Sequence, residues 1–357
     1  MFQRPYVWGL EKQWEPLWED IRNKAQQHLE GTEAVDPHFM GAIVINQMQT
    51  FGAAIPAHEV IDGQQRLTTF QLFLAAFRDL SKSFGEEDIA ADLLTNTLNS
   101  GKKASPEEEF KVWPTRADQS AFMRCLKAGS RAALEAVYPP VVIRCKLQAR
   151  HKMVDAYFFF ESSLRAFIME GTDNTPEERI QAVFSALQNS LQLVSIELET
   201  KDDPQVIFET LNARGEPLLS SDLLRNFIFL RAQRQGLSAN HLYDTYWQHF
   251  DGDLPEDGST ATTFWKVEEQ QGRLIRPRLD LFIQHFLSLK TGREVNVGRL
   301  FHDYKRWIES EKPYPNVEEE LKELNRYSKV FAKFFVPDRA TPLGKFILRF
   351  QRFLDTN

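Results

Sequence analysis

Cysteine is almost missing from this 357-residue chain: Cys125 and Cys145 are the only two. They are too few and too far apart for a disulfide framework or a paired zinc site, and they are expected to be reduced thiols of a cytoplasmic protein. Long apolar runs are missing as well. The densest clusters, Tyr157–Phe160 and Phe227–Leu230, fall far short of the ~20 residues a membrane helix needs, so no membrane partner is expected. The chain also lacks an excess of positive charge, with 43 Lys and Arg against 50 Asp and Glu. Net charge therefore cannot draw it to nucleic acid, and any such contact requires a local basic patch. The eight histidines are scattered, without a metal-ligand spacing. Neither a Gly-x4-Gly-Lys-Ser/Thr loop nor a Gly-x-Gly-x-x-Gly turn occurs, which excludes the P-loop and dinucleotide fingerprints. What the chain has in quantity is aromatic residues, 28 Phe, 8 Tyr and 7 Trp, the material of large packed helices.

The most informative segment is His58-Glu-Val-Ile-Asp62-Gly63-Gln64-Gln65-Arg66-Leu67-Thr68-Thr69. A short apolar run ends at an Asp-Gly turn. Helical periodicity then starts at Leu67 and continues through Phe70, Phe73, Leu74, Phe77, Leu80 and Phe84. A strand, a glycine turn and a helix start aim unpaired N–H groups and the positive helix end at one point, where phosphate is the usual occupant. Gln64, Gln65 and Arg66 add amide groups and a planar guanidinium suited to phosphate oxygens. The bland alternative is a turn whose Arg66 pairs with a neighbouring carboxylate.

Around this turn the pattern predicts an α+β fold: a small mixed sheet with helices over about residues 1–200, then an all-helical region over 201–357. Strands are expected at Phe39–Ile45, before Asp62, at Phe110–Trp113 and at Leu191–Glu199. Helices are expected around Trp14–Ile21, from Leu67, and over 116–128, 150–169 and 177–190. Further helices are expected over Pro204–Asn212, Leu223–Arg234, Phe264–Lys290, Val297–Ser310 and Val317–Phe334, with a last one from Leu343. Residues 251–262 read as a linker. The apolar opening Phe2–Trp8 and the apolar helix just before Asn357 suggest a chain cut at both ends.

A second polar group, Asn212-Ala-Arg214-Gly215 followed by Asp222-Leu-Leu-Arg225-Asn226, joins a helix end to the first turn of the next helix. There, capping and ligand binding look alike. Glu199-Thr200-Lys201 imitates half of a metal-dependent nuclease site, but such a tripeptide is common.

Taken together, Gln3-Arg4-Pro5-Tyr6-x-Trp8, Ile61-Asp62-Gly63-Gln64-Gln65-Arg66-Leu67-Thr68-Thr69 and Ile207-Phe208…Asn212-x-Arg214-Gly215…Asp222-Leu-x-Arg225-Asn226 resemble the N-terminal domain of GmrSD-type modification-dependent restriction endonucleases. The SspE and BrxU nucleases look similar. The resemblance implies a ParB/sulfiredoxin-like fold with the Asp62–Arg66 turn in a pocket for a nucleoside triphosphate (GTP, UTP or ATP) with Mg²⁺. In that pocket Asp62, Gln64, Gln65 and Arg66 would be catalytic, with Asp62 on the metal. Gln3, Arg4, Tyr6, Trp8, Gly63, Thr68, Thr69, Asn212, Arg214, Arg225 and Asn226 would line it. It further implies DNA, notably modified phage DNA, as partner, and a C-terminal or separate His-Asn-His-type nuclease domain, of which this chain shows no match; it leaves homo-oligomerisation open. The competing reading is a catalytically silent DNA- or modification-sensing module gripping backbone phosphate, and a third is direct DNA cleavage by this chain.

Overall fold

The computed structural model describes residues 5–31, 35–48, 55–101, 103, 105–140, 142–143, 146–147, 150–171, 173–199, 219–251, 264–271 and 274–355. They form two compact units, one of residues 5–199 and one of residues 219–251 and 264–355. The class is α+β as expected, with a small mixed sheet in the first unit and mostly helix in the second. No helix among the described residues is long and apolar enough to cross a membrane.

The first unit opens with a π-helical turn, Leu10–Trp14, running into α1, Glu15–Leu29. Trp14, Leu17, Trp18 and Ile21 point into the core, as their three- and four-residue spacing requires. Next come β1, His38–Gln47, and β2, His58–Asp62, and then α2, Gln64–Ser83, and α3, Glu87–Thr97. The sequence then gives α4, Gln119–Leu126; α5, Arg131–Val137; a two-residue β3/β4 ladder, Val142–Ile143 with Lys146–Leu147; α6, Lys152–Ile168; α7, Pro176–Asn189; and β5, Leu191–Glu197. The sheet order is β2-β1-β5, antiparallel between β1 and β2 and parallel between β1 and β5.

Helix α2 is the axis of this unit. Leu72, Phe73, Ala75, Ala76 and Phe77 are fully buried, and Phe73 meets Phe160 of α6 edge-on at 5.4 Å. Even Arg78 and Asp79 are buried, paired with each other and closed by the Tyr157 hydroxyl, which donates to Asp79 Oδ2 at 2.7 Å. An axis packed on all sides fixes where its first turn lies.

In the second unit α8, Ser220–Arg234, is followed by two short helices, Ala239–Leu242 (α9) and Gln248–Asp251 (α10), joined by a π turn. After it come α11, Arg278–Thr291; α12, Leu300–Glu311; α13, Val317–Phe335; and α14, Pro342–Asp355. Its core is aromatic, around Trp247, Phe250, Trp265 and Phe282.

Three expectations change. The segment Phe110–Trp113 is no strand: Phe110 makes a single bridge to Leu98, and its buried ring packs on Trp113 at 5.3 Å. Its apolar residues fill core rather than alternate between two faces. The helix expected over Phe264–Lys290 begins only at Arg278. Before it a hairpin pairs Glu268–Gln271 (β6) with Leu274–Pro277 (β7), so this unit is not all-helical. Pro277 is the reason, since it has no N–H to donate and cannot lie inside a helix. Helix α8 begins at Ser220 rather than Leu223, because the buried Asp280 carboxylate accepts the Ser221 N–H at 3.0 Å and caps it from another helix. Residues 204–212 and 252–262 lie outside the described residues.

Candidate functional site

The Asp-Gly turn is tighter than expected: the helix starts at Gln64, so Gln64, Gln65 and Arg66 form its first turn. Gly63 has φ +91° and ψ 6°, a left-handed conformation open to glycine at no steric cost. A Cβ there would also stand 2.8 Å from Ile43 Cγ2. The Leu67 N–H donates to the Gly63 carbonyl at 2.9 Å, the first bond of the helix. The N–H groups of Gln64, Gln65 and Arg66 therefore have no acceptor within the helix. Among the described residues no side chain caps them, and the first turn holds no acidic residue. By contrast, Thr175 and Glu178 close the start of α7 with a complete capping box.

Arg66 bears on the two readings of the turn. Its guanidinium lies half-buried on the backbone of β1, with Nη1 donating to the Ala42 carbonyl at 2.6 Å. Among the described residues no carboxylate pairs with it. The seat is Gly41, where a Cβ would come within 2.7 Å of Arg66 Cζ, 2.8 Å of Nη2 and 2.9 Å of Nε. Gly41 has φ +102°, and the β1/β5 register shifts between Phe39 and Ala42, as a β-bulge does when it re-aims a strand. Gly41 was missed in the sequence, although a lone glycine inside the apolar run Phe39–Ile45 is itself a sign of close approach.

Asp62 ends β2 opposite Val44, half-buried, and its carboxylate neither caps α2 nor forms an ion pair among the described residues. Gln64 is half-buried, and its amide makes no hydrogen bond among them. Gln65 is committed. Its Oε1 accepts the Val7 N–H at 2.9 Å and its Nε2 donates to the Pro5 carbonyl at 3.2 Å. This amide clamps the N-terminal strap across the turn. Asp118 and Lys152, which no motif singled out, complete the clamp: Asp118 Oδ2 accepts the Tyr6 N–H at 2.7 Å, and Lys152 Nζ donates to the Val7 carbonyl at 2.9 Å.

Tyr6, Thr68 and Thr69 lie under the turn, all buried. The Tyr6 hydroxyl lies 2.7 Å from Thr69 Oγ1 and accepts from Trp14 Nε1 at 2.9 Å, while Thr69 donates to the Gln65 carbonyl at 2.8 Å. Burial pushes the Tyr6 phenol well above its ordinary range, more than these bonds lower it. These residues hold the strap from behind. Trp8 is half-buried against the core and borders an open depression of about 410 Å³ lined by Val7–Gln13. Gln65→Ala is expected to lower the stability of this unit by about 1–2 kcal/mol, the worth of two such bonds, read as a fall in urea midpoint.

The second polar group is divided. Gln3, Arg4, Asn212 and Arg214 lie outside the described residues. Asn226 is half-buried on α8. Arg225, expected to line the pocket, is instead 4% exposed: Nη1 donates to Asp251 Oδ1 at 2.7 Å and Nη2 to Asp222 Oδ1 at 3.1 Å. Burial opposes its charge, but Asp251 and Asp222 outweigh burial and keep the guanidinium protonated. Both of these bonds lie inside its own unit.

No group of three or more His, Cys, Asp or Glu that could hold a metal occurs among the described residues. A magnesium ion carried in on a triphosphate needs fewer, one or two carboxylates with the phosphates and water. The lone Asp62 fits that requirement.

Residues 1–229 match the family model described as GmrSD restriction endonuclease, N-terminal domain, a span that contains all three motif blocks. A comparison with curated proteins gives no match.

Proposed function

Because the chain belongs to the family of the GmrSD restriction endonuclease N-terminal domain, and so is a component of a restriction endonuclease, we propose that its turn at Asp62–Arg66 binds and hydrolyses a nucleoside triphosphate to regulate DNA cleavage in defence. The observation that carries this reading is a helix start that no described side chain caps, paired with an arginine seated on a carbonyl rather than on any described carboxylate. Three N–H groups and the guanidinium are then available to phosphate oxygens. Asp62 would hold Mg²⁺, which supplies further charge neutralisation on the phosphates. Gln64 would orient the attacking water, since the Gln65 amide is spent on the strap. Gln3, Arg4, Asn212 and Arg214 would complete the pocket, with modified phage DNA as the target and a His-Asn-His-type domain as the cutter.

Nucleotide binding and phosphate release are the test, run with each of the four triphosphates. Arg66→Ala is expected to weaken binding by about ten-fold or more, the worth of a charge-assisted hydrogen bond. Gln64→Ala should lower turnover with little effect on binding. Equal activity in wild type and both variants would discard the reading. Salt-dependent duplex binding, unchanged by nucleotide and abolished in Arg66→Ala, would favour a silent phosphate-gripping sensor instead.

A further inference from the structure

A run of positive charge in this acidic chain lies beyond the matched residues. Between positions 326 and 354 seven Lys and Arg stand against one acidic residue, Asp338. Earlier in α13, cations are spent on neighbours: Lys322 on Glu318 and Glu319, and Arg326 on Glu323. Lys329 and Lys333 near the end of α13, and Lys345 and Arg349 on α14, are exposed and have no carboxylate at ion-pair distance among the described residues.

Helix α14 also turns much of its apolar side outward. Gly344 and Ile347 are buried, but Leu343, Phe346 and Phe350 are 54%, 64% and 55% exposed. The Phe346 and Phe350 rings lie within 18° of parallel with centroids 6.3 Å apart, forming one aromatic surface. Lys345 and Arg349 share a helix face at i and i+4 beside those rings. The start of α14 is locked, since a Cβ at Gly344 would collide with the Asp338 backbone.

We infer that this corner of α13 and α14 binds single-stranded DNA, its phosphates on Lys329, Lys333, Lys345 and Arg349 and its bases on Phe346 and Phe350. Cations tracking a backbone beside exposed aromatic faces are what an unpaired strand requires. A second copy fits less well, because a two-fold contact through the rings would set Lys345 and Arg349 against their own like charges. A lipid surface needs the apolar face of the helix free to enter it, whereas here Ile347 of that helix is already packed inward. The inference does not depend on the nucleotide pocket.

Fluorescence anisotropy of the full chain with a labelled oligothymidine of about 20 nucleotides, long enough to cover one such site, tests it. Lys345→Glu/Arg349→Glu is expected to weaken binding at least about ten-fold and to flatten the salt dependence by about 0.7 for each phosphate no longer neutralised. Phe346→Ala/Phe350→Ala should weaken it about ten-fold with the salt slope unchanged. Phosphate release from nucleotide without DNA should stay at the wild-type level in both variants, so failure here is distinct from failure of the nucleotide reading. Wild-type affinity for the oligonucleotide in both double variants would overturn the inference. So would absence of oligonucleotide binding alongside phosphatidylserine vesicle binding, or a dimer, that the phenylalanine variant abolishes.

Discussion

Gly41→Ala is expected to cut triphosphate turnover about a hundred-fold or more, the scale on which the removal of one preorganised donor is felt, although residue 41 need never touch the nucleotide. The added methyl would stand 2.7–2.9 Å from three guanidinium atoms of Arg66, so the side chain must leave the Ala42 carbonyl. The backbone suffers too: φ +102° is costly for any residue with a Cβ, by roughly 1 kcal/mol or more. The informative comparison is the double variant. If Gly41 acts through Arg66, Gly41→Ala/Arg66→Ala should turn over no more slowly than Arg66→Ala, apart from the lower stability. Full turnover in Gly41→Ala would show that the guanidinium does its work from some other position, and the seat would lose its meaning.

Arg225→Ala should behave in the opposite way. It strands Asp222 and Asp251, both turned toward the buried guanidinium, with Asp251 also bonded by the Tyr243 hydroxyl at 2.7 Å. Removing one partner of a buried ion network costs about 3–5 kcal/mol, enough to unfold a marginal unit. The expected result is an early unfolding transition of the 219–355 unit by denaturant, with nucleotide affinity unchanged in the fraction that stays folded. Arg225→Met should fare little better, because it restores bulk but not charge. A stable Arg225→Ala protein that no longer binds nucleotide would return this residue to the pocket.

These two arginines show how far the sequence reaches. Both stand in polar groups at the start of a helix, and in the sequence they look equivalent. One rests on a strand carbonyl and is half-buried, whereas the other is sealed between two carboxylates. The difference comes from partners the sequence could not place: Ala42 lies on a strand paired beside the turn, and Asp251 lies 26 residues beyond Arg225. The same holds for the two glutamines of the turn. Adjacent and chemically identical, they part because helical geometry sends Gln65 toward Pro5 and Val7 while Gln64 points elsewhere.

Local order was legible wherever it depends on near neighbours. The spacing from Leu67 to Leu80 is a helix because those side chains must share one face, and Gly63 is a turn because only glycine takes that φ without strain. The β-branched and apolar runs near Leu191 and Phe39 became β5 and β1, a preference that also acts locally. Sequence by itself thus determined the class, most elements and the position of the turn, since periodicity and backbone preference act within a few residues. Only tertiary structure decided which partners surround the turn. The bulge under Arg66, the Asp118 and Lys152 hold on the strap and the Asp280 cap on α8 join residues far apart in the chain. Their energies depend on burial and approach, which no local pattern encodes.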